Sequence, residues 1–267
     1  MFKIVIVGGS GKIAKLFSRL ATSTSSTSSP YSITSLVRSR DHFDAISQVG
    51  ATPQLLDIES AQVDELKKAF EGAQGVLFAA GAGGKGPKER TRKVDEEGAI
   101  KVFDAIEQIS SAPKPYLVLV GALDTRDISQ KPPTHYTEED IEGSKKAHEA
   151  IGPYYDAKLA ADLNLSRRTA FAWTIVRPGS LLDDEPTGKV TAGQTGMGKI
   201  TRGDVASSVL ALFNSALAEH GSSSSSSSKP KANGLAIDLI QQGDGKDVPF
   251  EEAIKAAVEK REGSLVA

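Results

Sequence analysis

Short apolar runs and amphipathic helical patterns alternate along most of the chain. The apolar runs predict strands at residues 4–7, 31–37, 52–56, 75–80, 116–120 and 173–176. The first run, from Ile4 to Val7, is β-branched throughout, as is typical of a strand buried on both faces of a parallel sheet. The intervening segments carry apolar residues at the spacing of core-facing helices. This order predicts an α/β fold built on a doubly wound parallel sheet.

Polar segments interrupt this pattern in several places. Residues 183–198 are rich in Gly and Thr and are interpreted as a loop or lid. Farther on, residues 235–240 predict a last strand and residues 250–260 a terminal amphipathic helix. Serine-rich composition predicts flexible loops at residues 22–30 and 221–232.

A single domain is the organisation that these segments favour. A chain of 267 residues with 39% apolar content can bury one sizeable core. We therefore expect one α/β domain over residues 1–267, in which residues 180–200 and 235–267 form a small substrate-side lid and C-terminal region.

Charge and composition exclude several classes of function. The formal net charge is −2 and the charges are interspersed, which gives no global electrostatic reason to bind nucleic acid or an anionic membrane. The absence of cysteine excludes disulfides, thiolate nucleophiles and Cys-ligated metals. No apolar run is as long as a membrane span, and the first strand begins at Phe2. We therefore expect no signal peptide and a soluble, cytoplasmic protein.

The histidines and one basic cluster have simple interpretations. His42, His135, His148 and His220 show no metal-ligand spacing, and all four are interpreted as surface or loop residues with no metal site. The basic cluster in residues 85–93 has no interleaved aromatic residues, so it is interpreted as the solvated start of a helix.

A glycine-rich turn directly follows the first predicted strand. Gly8, Gly11 and Ala14 have the spacing G-x-x-G-x-x-A, which is looser than the strict G-x-G-x-x-G/A fingerprint. Such a turn between a buried strand and a helix N-terminus favours a diphosphate, because free N–H groups and the helix dipole meet there. The alternative is a βα turn without a ligand. The predicted contacts to a dinucleotide are Gly8, Ser10, Gly11, Lys12 and Ile13.

The ends of the next strands supply candidates for the rest of a dinucleotide site. Arg38 follows the second strand, where a carboxylate would suit NAD and a guanidinium suits the 2′-phosphate of NADP. Alternatively, Arg38 is an ordinary surface residue. Asp57 could accept a hydrogen bond from adenine or cap a helix over residues 60–70. Ala80 and Gly81 end the fourth strand at the same sheet edge, where we expect the ribose and nicotinamide.

Tyr154 and Lys158 are the candidate catalytic residues. They lie four residues apart on a helix predicted from residue 153 to about residue 168, so their side chains share one face. A lysine ammonium near a phenol lets the tyrosine act as a general acid or base, and the lysine can also hold the nicotinamide ribose. Considered alone, such a pair is more often an ordinary i, i+4 pair on an amphipathic helix.

Five motifs occur in a fixed order over most of the chain. They are G-G-S-G-K-I-A at residues 8–14, V-D-x-x-G-A at 94–99, Y-x-x-A-K-x-x-A-D at 154–162, W-T-I-V-R-P-G at 173–179 and I-T-R-x-D-V-A at 200–206. Together they resemble the atypical short-chain dehydrogenase/reductases, and more narrowly the NAD(P)H-binding subgroup with flavin reductases and nitrogen-repression-type redox sensors. The resemblance implies a Rossmann-type fold, a bound NAD(P) in contact with Lys158 and Pro178, and Tyr154 with Lys158 as the catalytic pair.

One position departs from the family pattern. Family members with the full reductase site carry Ser or Thr at the end of the fifth strand, whereas this chain has Gly121. Without that hydroxyl, carbonyl reduction loses a hydrogen-bond donor to the developing oxyanion. Thr125 and Ser129 are candidate replacements.

Two functions follow from these observations. The first is an NADP(H)-dependent oxidoreductase that passes hydride to a small-molecule acceptor such as a quinone, a flavin or a carbonyl compound. The second is a non-catalytic NADP(H)-binding redox sensor or scaffold that acts through a protein partner. Monomer and homodimer stay open.

Overall fold

The computed structural model describes residues 1–23, 29–82, 88–222, 229–243 and 245–263. The strands are β1 (Phe2–Val7), β2 (Tyr31–Val37), β3 (Thr52–Leu55), β4 (Gly75–Phe78), β5 (Tyr116–Val120), β6 (Trp173–Pro178), β7 (Ser180–Leu182), β8 (Lys189–Gly193), β9 (Lys199–Thr201), β10 (Leu235–Ile240) and β11 (Val248–Pro249). The helices are α1 (Lys12–Thr22), α2 (Phe43–Ser47), α3 (Val63–Phe70), α4 (Lys88–Thr91), α5 (Ala99–Glu107), α6 (Glu138–Ser166), α7 (Arg202–Ser222) and α8 (Phe250–Lys260). A 3₁₀ turn at Arg40–His42 precedes α2, and a π-helical segment at Arg92–Gly98 joins α4 to α5.

The strands assemble into one large sheet with the order β11-β8-β10-β6-β5-β4-β1-β2-β3. The seven strands from β10 to β3 in this order run parallel, whereas β8 and β11 add antiparallel pairs at one edge. Strands β7 and β9 form a separate parallel pair. Because the winding reverses between β1 and β4, a crevice opens at the carboxyl ends of these two strands. The predicted doubly wound parallel sheet of Rossmann type is confirmed.

Two apolar cores lie on the opposite faces of this sheet. On one face, α1, α7 and α8 bury residues such as Phe17, Phe213 and Ile254. On the other face, α3, α5 and α6 bury residues such as Phe70, Phe103 and Leu165. The sheet is covered on both sides, which explains why its central strands are apolar throughout. None of the helices in the described ranges combines the length and apolarity needed to span a bilayer.

Helix α6 begins earlier than the sequence pattern predicts. A helix does begin near the expected residue 153, after the non-helical residue Ile151, but it continues an earlier helix, so that α6 as a whole starts at Glu138. Thr137 caps this start: its hydroxyl accepts the N–H of Asp140 at 3.2 Å, and the Asp140 carboxylate accepts the N–H of Thr137 at 2.9 Å. The helix kinks at Ile151, which has φ −136° and ψ 36°. Pro153 follows within two residues, and its ring and missing N–H account for the break.

The segment over residues 183–198 is more than a loop. It contains β8, whose residue Val190 is fully buried and which pairs with the sheet strand β10. The loop interpretation is therefore wrong for residues 189–193. The predicted last strand is β10, and it lies inside the main sheet. Of the predicted flexible loops, residues 24–28 and 223–228 lie outside the described residues, as do residues 85–87 of the predicted basic cluster.

Candidate functional site

The glycine turn between β1 and α1 lies at the crevice between β1 and β4. Gly8 has φ +84°, and a Cβ on it would fall 2.5 Å from the Cα of Ala80. Gly11 is the N-cap of α1, and its own N–H donates to the carbonyl of Gly8 at 3.0 Å. The amides of Lys12 and Ile13 lie in the first turn, where helix geometry supplies no carbonyl acceptor. This turn presents free N–H donors and the positive end of the helix dipole, as a diphosphate requires.

The other residues predicted to contact the dinucleotide lie at the same edge of the sheet as this turn. Ser10 lies between the two glycines on the partly exposed surface of the turn. At the end of β4, Ala80 and Gly81 face the same crevice, and the N–H of the next residue, Ala82, donates to the carboxylate of Asp95 at 2.9 Å. Pro178 is buried at the carboxyl end of β6. These residues share the edge of the sheet where ligands bind in open α/β folds.

Arg38 follows β2 with an exposed side chain. Its guanidinium lies 3.7 Å from Glu59, and Glu59 also pairs with Arg90 at 3.0 Å. Two guanidinium groups therefore share one carboxylate, which leaves a net positive charge beside the carboxyl end of β2. A phosphate group would find complementary charge at this position.

Asp57 does not cap a helix. Its carboxylate accepts the N–H of Glu59 at 3.0 Å in a local turn, whereas α3 begins only at Val63. The N-cap of α3 is Gln62, whose N–H donates to the carboxylate of Glu65 at 2.8 Å. The helix-cap alternative for Asp57 is therefore wrong, and a contact with adenine stays a prediction.

Lys158 makes a buried ion pair with Asp95. The distance between Nζ and Oδ1 is 3.0 Å, and the side chains are 5% and 0% exposed. The same ammonium donates a hydrogen bond to the carbonyl of Val120 at 3.3 Å. The Nζ atom lies 5.6 Å from the ring centroid of Tyr154. The structure thus brings the two predicted catalytic residues together and adds a carboxylate that sequence reasoning missed.

The electrostatics of the pair depend on this carboxylate. Burial alone would lower the pKa of Lys158, but Asp95, Tyr154 and Asp162 together raise it above its ordinary value. Burial raises the pKa of Tyr154, and the attraction of Lys158 for the phenolate opposes that shift without reversing it. Lys158 is therefore an ammonium and Tyr154 a neutral phenol at neutral pH.

Neither Thr125 nor Ser129 offers a free hydroxyl in place of the one missing at Gly121. A Cβ on Gly121 would fall 3.1 Å from Ile175 Cγ2 and 3.5 Å from Arg177 Cγ, so packing leaves little room for a larger residue. The Thr125 hydroxyl donates to the carbonyl of Ala122 at 2.7 Å. The Ser129 hydroxyl donates to Asp127, also at 2.7 Å. The hydroxyls of both candidate replacements therefore already donate a hydrogen bond to a nearby group of the protein.

A second polar cluster surrounds Asp124, just beyond β5. Asp124 has φ +62° and a fully buried side chain. Its carboxylate accepts bonds from Arg126 Nε at 2.7 Å and from Tyr136 Oη at 3.1 Å. The imidazole Nε2 of His148 lies 3.1 Å from Asp124 Oδ2, and this ring stacks on Tyr155 at 4.0 Å between centroids. The surface interpretation of His148 is wrong, because its side chain is 8% exposed.

The buried polar residues of α6 form one stripe at helical spacing. Two of them contact residues that follow or belong to sheet strands: Arg126 donates to Ser144 at 2.8 Å, and Arg177 pairs with Asp162 at 2.7 Å. The stripe consists of Ser144, His148, Tyr155, Lys158 and Asp162. The i, i+3, i+4 spacing of these polar residues was a signal available in the sequence. Among the described residues, no three His, Asp or Glu side chains are placed to hold a metal ion.

Comparison with known proteins agrees with this geometry. A family model described as NAD(P)H-binding matches residues 8–216. The UPF0659 protein C216.03 of Schizosaccharomyces pombe is 37% identical, covering 99% of this chain and 98% of its own. The uncharacterized sugar epimerase YhfK of Bacillus subtilis is 29% identical, over 95% of this chain and 99% of its own. The crystal structure of the oxidoreductase ylbE from Lactococcus lactis has a TM-score of 0.71 at 24% identity and covers 97% of each chain.

Proposed function

Because this chain belongs to the NAD(P)H-binding family, we propose that it is an NADP(H)-dependent oxidoreductase of the atypical short-chain dehydrogenase/reductase type. The observation that carries the proposal is the position of Lys158. Its ammonium lies at the carboxyl edge of β5, within reach of both the Tyr154 ring and the carboxylate that anchors Ala82. A cofactor site and a proton donor therefore meet at one edge of the sheet.

The residues at the crevice fit a dinucleotide. The close approach of Gly8 to Ala80 leaves a cradle that a side chain would fill, and the amides of Lys12 and Ile13 point out of the first turn of α1. The diphosphate would lie over Gly8 to Ile13. Arg38 would hold the 2′-phosphate, and Asp57 would lie near the adenine. The net positive charge of Arg38, Arg90 and Glu59 supports a preference for NADP(H) over NAD(H).

The chain's own residues then divide the chemistry between them. When bound, the reduced nicotinamide supplies a hydride to the acceptor. Lys158 carries three N–H groups and donates one of them to Val120, so it keeps a donor that suits a ribose hydroxyl. Tyr154 is a neutral phenol, so it can give a proton to an acceptor atom that gains an electron pair.

The missing hydroxyl at Gly121 affects which class of hydride acceptor the site favours. Quinones and flavins delocalise the charge that hydride transfer delivers, so they depend less than a simple ketone on a donor aimed at one oxygen. The engaged hydroxyls of Thr125 and Ser129 favour the same group of acceptors. We therefore place quinones and flavins ahead of simple carbonyl compounds.

Steady-state oxidation of NADPH with a panel of quinones, flavins and carbonyl compounds tests the proposal. Tyr154→Phe and Lys158→Ala should each lower the rate by about tenfold or more with acceptors that take up a proton. Asp156→Asn, on the exposed side of the same helix, is the matched control and should retain the rate. Rates that are the same in all four proteins would remove the catalytic roles from Tyr154 and Lys158.

The engaged hydroxyls also favour a second candidate, a redox sensor or scaffold that binds NADP(H) and acts through a protein partner. It needs the same cofactor cradle and no proton donor. Calorimetry separates the two functions. The sensor requires binding of NADPH with no turnover of any acceptor, whereas specific turnover would contradict it.

A further inference from the structure

The side chain of Asp95 is fully buried between the loop after β4 and helix α6. It lies on the π-helical segment between α4 and α5, and π-helical turns are often found where a side chain must be aimed at a functional group. One carboxylate oxygen accepts the N–H of Ala82 at 2.9 Å. The other lies 3.0 Å from Lys158 Nζ in an ion pair and accepts no hydrogen bond within the described residues. A single carboxylate therefore holds the loop after β4 and the lysine of α6.

The charge of Asp95 matters as much as its position. A lone ammonium within about 6 Å of a phenol favours the phenolate and would make Tyr154 a base. Here a buried carboxylate lies closer to the ammonium than the phenol ring does, 3.0 Å against 5.6 Å. At these distances in a low-dielectric interior, the two charges largely cancel as seen from Tyr154.

The other charged groups around Tyr154 add no net positive charge. Asp162 on α6 faces the same region, and its carboxylate is paired with Arg177 of β6 at 2.7 Å. Tyr155, the neighbouring phenol, packs edge-on against the Tyr154 ring. Among the described groups, Lys158 is thus the cation that could stabilise a Tyr154 phenolate, and Asp95 neutralises it.

We propose that Asp95 is a positioning residue that neutralises Lys158, keeps Tyr154 protonated and so commits the site to donating a proton, the direction of substrate reduction. The proposal deepens the function proposed above. Only the statement that the site reduces a substrate rests on that function. The state of Tyr154 itself is a property of the free protein.

Ultraviolet titration of tyrosinate in the free protein tests this directly, with neither cofactor nor acceptor present. In Asp95→Asn the amide oxygen can still accept the Ala82 N–H, but the neutralising charge is lost. The titration of one tyrosine should move down by about one pH unit or more. That step should vanish in Asp95→Asn/Tyr154→Phe and in Asp95→Asn/Lys158→Met. Glu96→Gln removes a partly exposed charge from the neighbouring residue and should leave the titration unchanged.

Several results would overturn the proposal. An unchanged titration in a folded Asp95→Asn protein would do so, as would a shifted step that survives the loss of Lys158. If Asp95→Asn does not fold, the difference between the wild-type protein and Tyr154→Phe decides. A Tyr154 step well below about pH 10, the ordinary phenol value, would contradict a neutralised Lys158. Because none of these readouts uses turnover, they separate this proposal from a failure of the oxidoreductase function.

Discussion

Gly8 lies directly against Ala80, so that a Cβ on Gly8 would fall 2.5 Å from the Ala80 Cα. Gly8→Ala should therefore push the first loop away from the loop after β4 and open the cofactor crevice. We expect the affinity for NADPH to fall by about tenfold or more, and the free energy of unfolding by about 1–3 kcal/mol. Calorimetry and urea unfolding measure the two effects.

Gly72→Ala is the matched control for this prediction. Gly72 also has a positive φ, +70°, but nothing lies within 4 Å of a Cβ built there. It should show only the backbone cost of about 1 kcal/mol and bind NADPH as the wild-type protein does. Equal affinities in Gly8→Ala and Gly72→Ala would mean that the crevice does not hold the cofactor.

Arg38 decides the preference between the two nicotinamide cofactors in our proposal. Arg38→Glu should weaken NADPH binding by about tenfold or more and leave NADH binding nearly unchanged, because only NADPH carries the 2′-phosphate. Arg40→Glu changes the same charge on an exposed neighbour that packs over Phe43, and it should alter either affinity by less than about twofold. Titration of both cofactors into the three proteins makes the comparison. If the two substitutions have the same effect, a phosphate contact at Arg38 is refuted.

The parts of the site that could be predicted are those coded by local sequence. The residues of the Gly8 turn lie within a few positions of one another in sequence, so their spacing alone places them together. The same holds for Tyr154 and Lys158, which are four residues apart on one helix. Continuous apolar runs in the sequence predict the strands that are buried on both faces. Helix α6 could have been extended to Glu138 from the capping signal of Thr137 and Asp140, but its polar first half carries no apolar stripe.

The parts that could not be predicted depend on contacts between distant segments. Asp95 contacts Lys158 only because the fold places the π-helical segment beside α6. No local sequence pattern predicts this contact. Asp124 and His148 are 24 residues apart and join a loop to a helix. Strand β8 also escaped prediction, because its Gly and Thr residues resemble a loop and its pairing with β10 comes from tertiary structure.

Restoring the family hydroxyl at Gly121 should cost stability. In Gly121→Ser the new Cβ would lie 3.1 Å from Ile175 Cγ2, which requires the core to shift. We expect a loss of about 1–3 kcal/mol in the free energy of unfolding. In Gly121→Ser/Ile175→Ala, which removes Cγ2, the loss should be smaller than the sum of the losses in the two single variants. Denaturant unfolding of the three variants checks this. A Gly121→Ser variant as stable as the wild-type protein would show that packing does not exclude serine here.

Asp140 should make the stability depend on pH at acid values. Burial opposes its ionisation, but bonds from Thr137 and from the Met197 N–H hold the pKa of its carboxyl below the ordinary value. A carboxyl with a lowered pKa in the folded state stabilises above its unfolded pKa of about 3.9, and the contribution is lost as pH falls through the folded pKa. Asp140→Asn should therefore lose about 1 kcal/mol at pH 7, and this deficit should shrink as the pH falls below about 4.

The control for Asp140 is its exposed neighbour Glu139. Glu139→Gln removes a charge from the same first turn of α6 and should change the free energy of unfolding by less than about 0.5 kcal/mol at either pH. Thermal unfolding of the three proteins between acid and neutral pH follows the effect. A deficit in Asp140→Asn that stays constant with pH would contradict a carboxylate role.

Asp124 should be among the most sensitive surface-loop positions of the chain, because buried donors from three places converge on it. Asp124→Ala would leave Arg126 Nε and Tyr136 without their acceptor, would leave His148 only the backbone carbonyl of residue 124, and would place alanine at φ +62°, so we expect a loss of about 3–5 kcal/mol. Asp124→Asn keeps an acceptor oxygen and tolerates the left-handed backbone, so its loss should be clearly smaller. Asp127→Ala removes an exposed carboxylate that bonds within its own turn and should destabilise the protein far less than Asp124→Ala. Urea unfolding of the three variants ranks them, and similar losses for Asp124→Ala and Asp127→Ala would show that the convergence on Asp124 does not hold α6 to the end of β5.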